Sequence, residues 1–232
     1  MNSKVFISSV LLAASFATPV LADENEEDRK GFYASVGITN SSPDDAKAKI
    51  DDTNWDFVNG SFGMDDGTSA TFGLGYDWGK FRAELSYDDV DYTINKLTGC
   101  IGGTCLSSTQ IDGDKKFNAT VFSLNAFYDF ENTSKWTPYI GGGIGTAELR
   151  GADFTATYSG TTASLKGQTQ NVTSYKGILG LTYEASKKVD IFTELAYLET
   201  EGFTSKGSGD TIALKYDPAS AWSGTLGVRF RF

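Results

Sequence analysis

Apolar and polar residues alternate along eight segments of the chain, and each segment is long enough to form a β-strand. In residues 67–78, for example, Phe72, Leu74 and Tyr76 share one face, and small or polar residues occupy the positions between them. A period of two over this length is typical of a strand with one apolar face. The segments are residues 31–39, 67–78, 80–87, 116–130, 136–149, 171–185, 189–198 and 221–232. Both faces of the fifth segment are small, so its pattern does not indicate how it is oriented.

The connections between these segments alternate strictly in length. Long connections span residues 40–66, 88–114, 151–170 and 199–217, and short turns lie at 77–80, 131–135 and 185–188. Spanning strands must close into a ring because unpaired backbone groups cannot face lipid. The pattern predicts an all-β fold, an eight-stranded antiparallel up-and-down transmembrane β-barrel with four long outer loops and three short periplasmic turns. A soluble β-sandwich is the competing fold, and it gives no reason for the alternation.

Aromatic residues gather beside all three short turns. They are Tyr76, Trp78, Phe81, Tyr128, Phe130, Trp136, Tyr139 and Tyr183. The amphipathic rings of Tyr and Trp suit the boundary between lipid tails and headgroups, so the placement predicts an aromatic girdle around the barrel. The alternative is a set of ordinary aromatic residues at the edge of a soluble core.

The first 22 residues have the pattern of a secretory signal peptide. Lys4 supplies a positive start, an apolar stretch follows, and small residues predict cleavage between Ala22 and Asp23. The expected organisation is a signal peptide at 1–22, an acidic N-terminal tail at 23–30 and a barrel domain at 31–232. A membrane anchor is the alternative interpretation of the first segment. No later segment approaches the apolar length of a membrane helix.

Two cysteines stand close together in the second long connection. Cys100 and Cys105 are separated by four residues, two of them glycine. In an exported chain such a pair predicts one small disulfide that closes a loop. A metal site is not expected, because the chain has no further Cys and no His to complete it.

Composition excludes several classes of function. The chain carries 20 Lys and Arg against 30 Asp and Glu, which speaks against nucleic-acid binding. It has no His, the commonest general base and metal ligand, so we expect no enzyme activity and no cofactor. Removal of Lys4 with the signal peptide would change the net charge from −10 to −11, and the four long connections carry all of it.

Paired aspartates make the first long connection strongly acidic. They are Asp44 and Asp45, Asp51 and Asp52, and Asp65 and Asp66. Carboxylates on the outer side could bind divalent cations shared with lipopolysaccharide phosphates. The alternative is a solvated surface that keeps the loops soluble.

Charged residues on the polar faces of the strands are predicted to point into the barrel. These lumen charges are Arg82, Glu84, Asp190, Glu194, Arg229 and Arg231. Buried charges must be paired, so they predict either a plug of ion pairs or a gated conduit for ions or small solutes. The last two strands are neighbours, which makes Glu194 and Arg229 a candidate pair.

The C-terminus ends in an aromatic residue that follows apolar residues at every second position. Leu226, Val228, Phe230 and Phe232 resemble the assembly signal of bacterial outer-membrane barrels. Residues 135–145 are similar to a Pro-Tyr and Gly-rich strand that these barrels often carry. Residues 81–87 and 192–197 share a Glu-Leu-small-Tyr core. The chain therefore resembles the small outer-membrane β-barrel superfamily, which includes OmpA-like transmembrane domains, OmpX, OmpW and the surface antigens of α-proteobacteria.

The resemblance implies a location and partners. It implies a monomer in the outer membrane, inserted by the barrel-assembly machinery through its C-terminal strand and surrounded by lipid and lipopolysaccharide. The expected role is structural or surface-exposed, in envelope integrity or as an adhesin or antigen, carried by the acidic loops above a charge-plugged lumen. A narrow porin-like channel of the OmpW type is the alternative. An outer-membrane enzyme is a third possibility, disfavoured because the related barrel enzymes depend on an active-site His.

Overall fold

The computed structural model describes residues 30–50, 58–101, 104–108, 111–113, 116–151, 154–158, 161–165, 169–206 and 213–232. The predicted signal peptide, its cleavage site at Ala22 and Asp23, and residues 23–29 of the acidic tail lie outside these residues. Within the described part of the chain, no helix is long and apolar enough to cross a membrane.

All regular structure in the described residues is β-strand. In chain order the strands are β1 (Gly31–Pro43), β2 (Ala46–Ile50), β3 (Val58–Met64), β4 (Gly67–Asp77), β5 (Phe81–Ile101), β6 (Thr104–Ser108), β7 (Ile111–Gly113), β8 (Lys116–Asp129), β9 (Trp136–Gly151), β10 (Phe154–Tyr158), β11 (Thr161–Leu165), β12 (Thr169–Ser186), β13 (Val189–Thr200), β14 (Phe203–Lys206), β15 (Ala213–Tyr216) and β16 (Ser220–Arg231).

Eight of these strands close into an antiparallel ring in the order β1, β4, β5, β8, β9, β12, β13 and β16. The ring closes where the first strand pairs with the last over the register from Tyr33 opposite Arg231 to Pro43 opposite Ala221. Each ring strand pairs with its sequence neighbour in the ring, so the topology is up and down. The predicted eight-stranded barrel is confirmed.

The two ends of the ring differ. Three short connections join ring strands at one end, which we call the short-turn end, and the long connections leave from the other. There β5 continues for 21 residues and pairs with β3 and β6, and β2, β15 and β14 extend this outer sheet. Strands β7, β10 and β11 form a second small sheet.

The assignment of residues 88–101 to a loop is therefore wrong, because they form the outer half of β5. A strand above the membrane has no lipid-facing side. In β5 the alternation continues with its faces exchanged, because Val90, Tyr92 and Ile94 are buried on the inward side and polar residues such as Asp91 are exposed between them. The apolar face of residues 81–87 therefore ends at Tyr87 although the strand does not.

The ring strands present apolar side chains outward. Large hydrophobic residues on this face are exposed, for example Leu74 at 65% and Leu226 at 64%. Inward positions carry many small, polar or charged residues, and Ser86, Asn125 and Thr182 among them are buried, although some inward positions, such as Phe127 and Phe192, carry buried aromatic rings. This is the reverse of a soluble protein, and it is the arrangement that a lipid environment requires.

Candidate functional site in the barrel lumen

Two arginines and four aromatic rings fill the lumen near the short-turn end. The guanidinium carbon of Arg82 lies 4.6 Å from the ring centre of Phe127 and 4.7 Å from that of Tyr139. That of Arg229 lies 5.0 Å from the ring centre of Tyr33 and 5.3 Å from that of Phe192. We call these six side chains the arginine layer. Both arginines are 2% exposed, so the layer is closed to solvent.

Inward-facing glycines make room for the rings. A Cβ atom at Gly180 would overlap the ring of Tyr139, and one at Gly75 would overlap the ring of Tyr33. A Cβ atom at Gly141 would likewise overlap the ring of Phe127, and one at Gly227 would overlap the ring of Phe192. Gly141, Gly143 and Gly145 of β9 therefore point into the lumen, which fixes the face that its sequence pattern left open.

Carboxylates pair with the arginines on the short-turn side. Asp129 accepts two hydrogen bonds from Arg82, at 2.7 Å from Nε and 2.9 Å from Nη2. Arg231 donates to Asp77 at 2.6 Å and to Asp190 at 2.8 Å. Such two-pronged contacts are among the stronger hydrogen bonds in proteins.

The predicted pairing of Glu194 with Arg229 is wrong, because Arg229 pairs with Asp190 instead. The register of β13 and β16 places Asp190 opposite Arg229 and Glu194 opposite Thr225. An Nη1 atom of Arg229 lies 3.7 Å from Asp190. The sequence shows that the two strands are neighbours but does not show their offset, and the offset decides the partner.

The two glutamates of the lumen interact with hydroxyl groups. Ser35 donates a hydrogen bond to Glu84 at 3.0 Å, and Tyr139 donates to Glu194 at 2.7 Å. Tyr139 is 1% exposed, so its assignment to the aromatic girdle is wrong. Its neighbour Pro138 faces outward instead, because the register of β9 turns the odd-numbered residues inward.

A cavity of about 90 Å³ lies on the long-loop side of the arginine layer. Apolar side chains such as Val121, Ala147 and Ile178 form much of its wall. Glu84, Glu194 and Asn125 border it, as do Lys176, Asp88 and several serine and threonine residues. Higher in the lumen Lys176 pairs with Asp88 at 2.9 Å, and Thr71 donates to the same carboxylate at 2.6 Å.

Four lumen charges were missed by the sequence reasoning. They are Asp77, Asp88, Asp129 and Lys176. The alternation contained a signal for three of them, because Asp129 and Lys176 occupy the positions between outward apolar residues of their strands. Asp77 also lies on the polar face of its predicted segment, between Tyr76 and Trp78, whereas Asp88 falls just beyond the predicted segment 80–87.

The other seven predicted girdle residues lie around the short-turn end. Their rings contact one another in pairs, as in Phe81 with Tyr128 at 5.2 Å and Trp136 with Tyr183 at 4.7 Å between centroids. The remaining members are Tyr76, Trp78 and Phe130. This set, without Tyr139, is the inner girdle.

A second girdle, which the sequence reasoning missed, surrounds the other edge of the apolar surface. Tyr87 contacts Phe122 at 4.8 Å, and Tyr197 contacts Trp222 at 5.0 Å. Tyr175 is also exposed on this side. We call these five residues the outer girdle. They lie on the apolar faces of the predicted segments but away from the short turns, beside which the predicted girdle was placed.

Two further predictions concern the C-terminus and the second long connection. Leu226, Phe230 and Phe232 of the suggested assembly signal are exposed on the outer face, and Val228 is half-buried there. The Cα atoms of Cys100 and Cys105 are register partners in β5 and β6, but their side chains lie outside the described ones, so the disulfide stays a prediction.

The acidic pairs of the first connection make local contacts. Asp66 accepts a hydrogen bond from Ser42 and Asp65 accepts one from Asn95. Asp44 accepts one from Ser220, and Asp51 and Asp52 lie outside the described residues. Within the described ranges, no three Asp, Glu or Cys side chains converge as a metal site.

Comparison with known proteins gives the chain its family. Residues 8–230 match the family described as outer membrane protein beta-barrel domain. The outer membrane protein PagN of Salmonella typhimurium is 29% identical over 104 residues, which cover 41% of this chain and 43% of PagN. The match thus spans less than half the length of that relative.

Solved structures share the fold. The outer membrane protein OprG of Pseudomonas aeruginosa superposes with a TM-score of 0.60 at 16% identity, covering 88% of this chain and 97% of OprG. The outer membrane protein AlkL gives a TM-score of 0.52 at 13% identity, covering 94% of this chain and 97% of AlkL. The long-loop end is accordingly the outer side and the short-turn end the periplasmic side. This chain belongs to the outer membrane protein β-barrel domain family and is an outer-membrane protein.

Proposed function

We propose that this protein is a non-conducting, surface-exposed barrel that contributes to the outer envelope through the strands and loops above the membrane. The arginine layer is the observation that carries the proposal. Its rings and guanidinium groups fill the section of the lumen through which a solute would have to pass, and each arginine lies beside a carboxylate. An eight-stranded ring leaves little interior beyond what side chains occupy.

The outer strands support a surface role. The sheet of β14, β15, β2, β3, β5 and β6 is larger than is needed to join ring strands. It carries exposed charged residues such as Lys47, Lys49 and Lys215. In this proposal the barrel is a monomeric anchor among lipid and lipopolysaccharide, inserted through its C-terminal strand, and the outer sheet makes the contacts.

Conductance in planar bilayers tests the closed lumen. We expect little steady current from the wild type and from Arg150→Ser, a control that removes an exposed arginine from β9. We expect the double variant Arg82→Ser with Arg229→Ser to open discrete steps, because two buried guanidinium groups are replaced by small side chains.

A second candidate function, a narrow channel for ions or small solutes, is favoured by the cavity above the layer, because charged residues such as Glu84, Glu194 and Lys176 border it. Large regular steps from the wild type would support this channel and contradict the closed barrel. A double variant that folds and stays silent would show that the arginine layer is not the barrier.

The surface role is tested by shortening the outer sheet. Residues 44–66 are replaced by a tight turn, which removes β2 and β3 but leaves every ring strand in place. We expect cells to attach less well to surfaces or to resist detergent less well. A control variant changes the periplasmic turn at 132–134. Unchanged attachment and resistance, with the shortened barrel still migrating as a folded species on unheated gels, would contradict the surface role.

A further inference from the structure

The lumen contains more negative than positive side chains. Leaving aside the periplasmic rim, where Glu184 lies, the cations inside the described ring strands are Arg82, Lys176, Arg229 and Arg231. The carboxylates are Asp77, Glu84, Asp88, Asp129, Asp190 and Glu194. Carboxylates thus exceed cations by two. An excess of buried charge is costly inside a membrane-spanning barrel unless something balances it.

The excess belongs to Glu84 and Glu194. The four aspartates of the lumen each lie within ion-pair distance of an arginine or lysine. The two glutamates accept hydrogen bonds from the neutral hydroxyls of Ser35 and Tyr139. Both carboxylates border the same cavity of about 90 Å³.

An amide oxygen points to a ligand at the same place. Asn125 stands opposite Glu84 in the register of β5 and β8, is 2% exposed and borders the cavity. Its Nδ2 donates to Ser86 at 2.9 Å, but its Oδ1 has no hydrogen-bond partner. This oxygen occupies the position that a Cβ atom at residue 143 would need, so the glycine there makes room for it. A buried oxygen without a donor is unusual in a folded protein.

Two carboxylates and an amide oxygen are the donors that hard cations prefer. Ca²⁺ binds oxygen ligands in flexible geometries and Mg²⁺ keeps several of its waters. A water molecule occupies about 30 Å³ in the liquid, so the cavity has room for an ion with a few waters. We propose that the lumen binds one divalent cation, Ca²⁺ or Mg²⁺, between Glu84, Glu194 and Asn125 above the arginine layer. The ion balances the two excess charges.

Thermal unfolding of the full-length barrel refolded in detergent tests the site, with Ca²⁺ or Mg²⁺ as the probe and a chelator as the reference. We expect the melting temperature of the wild type to rise with the cation. The variant Glu84→Gln with Glu194→Gln should show no rise. In chelator it should be at least as stable as the wild type, because neutral amides remove the uncompensated charge. The control Asp65→Asn with Asp66→Asn, which removes two outer carboxylates, should respond like the wild type.

Two outcomes would overturn the site. A double glutamine variant that keeps the full cation response would place the binding elsewhere. A wild type without a response, together with a double variant less stable in chelator, would show that the hydroxyl groups already satisfy the glutamates. If the double variant does not fold, Glu194→Gln alone is compared with the wild type by tyrosine-sensitised Tb³⁺ emission. The Tyr139 hydroxyl lies 2.7 Å from this carboxylate, so the variant should lose emission, and unchanged emission counts against the site.

Discussion

Arg82 and Arg229 are held in the lumen in the same way, each between two aromatic rings that rest on glycines. A cation over an aromatic face is worth about 0.5–1 kcal/mol when exposed and about 2 kcal/mol or more when water is excluded. The neighbouring carboxylates of Asp129 and Asp190 offset part of the cost of burying the charge. The rings can reach the arginines only because the glycines leave space for them, since each ring lies where the neighbouring strand has no side chain.

The pairing of Arg82 can be tested by removing one partner or both. We expect Arg82→Met to lower the free energy of unfolding by about 3–5 kcal/mol, because Asp129 is then buried without a cation. Arg82→Met with Asp129→Asn should recover much of the loss. Urea titration of the barrel in lipid vesicles measures both. A double variant as unstable as the single one would show that packing on the rings, not the charge, dominates.

The space at the glycines can be tested within a single strand. Gly180 faces the ring of Tyr139, whereas a Cβ atom at Gly177 would have no heavy atom within 4 Å. We expect Gly180→Ala to destabilise by about 1–3 kcal/mol through overpacking. Gly177→Ala should be neutral or slightly stabilising, because glycine weakens a strand. The same urea titration compares the two variants. Equal changes in the free energy of unfolding would show that the contact between Gly180 and the Tyr139 ring has no special effect.

Sequence predicts these residues only in part. Alternation places Arg82, Glu84 and Arg229 inward because a single strand decides that property. It does not predict that Tyr139 joins them, since small residues on both faces of β9 remove the contrast. It does not predict the partners either, because an ion pair depends on the offset between two strands.

Among the strands, a short repeat acquires a structural meaning. The Glu-Leu-small-Tyr cores of β5 and β13 place Glu84 and Glu194 at the lumen cavity and their leucines in the lipid-facing surface. The tyrosines that end the cores, Tyr87 and Tyr197, belong to the outer girdle. In each core the glutamate and the small residue face the lumen, the leucine faces lipid and the tyrosine lies at the membrane interface. The same core therefore suits both of these outward-running strands.

The boundary of the lipid-facing surface can be tested along β4. Leu74 lies within that surface and Thr68 lies beyond it on the same exposed face. We expect Leu74→Arg to destabilise the barrel by on the order of 2 kcal/mol, because a charge then faces lipid. Thr68→Arg should have little effect. Folding yield in vesicles, read from the shift between heated and unheated gels, compares them. Equal losses would place the membrane higher on the strand.

The closed ring as a whole follows from chain-wide regularities more than from any one residue. The alternation of long and short connections is a property of all eight strands, so an error in one segment does not alter the topology. No comparable chain-wide pattern predicts the outer sheet. Its strands pair with partners distant in sequence, such as Leu214 with Ile50, and no local pattern specifies that pairing.

Assembly of the ring in cells can be separated from its stability. Phe232 is 79% exposed, and its backbone N–H donates to the carbonyl of Phe32 at 3.1 Å. Phe232→Ala therefore removes little packing, and we expect unchanged refolding in detergent. If the terminal aromatic residue is a recognition signal, the variant should reach the outer membrane in much lower amount. Normal amounts in the membrane would contradict that role.

The two girdles fix the thickness of membrane that the barrel fits. On β12, Tyr183 of the inner girdle and Tyr175 of the outer girdle are eight residues apart, which is about 26 Å along a strand. At a tilt of about 40° this is roughly 20 Å along the barrel axis, less than the ~30 Å hydrocarbon core of a typical bilayer. We expect faster and more complete refolding in short-chain phosphatidylcholine vesicles than in long-chain ones. The spacing of the rings would then sort this protein toward thin membranes before any receptor or partner is involved.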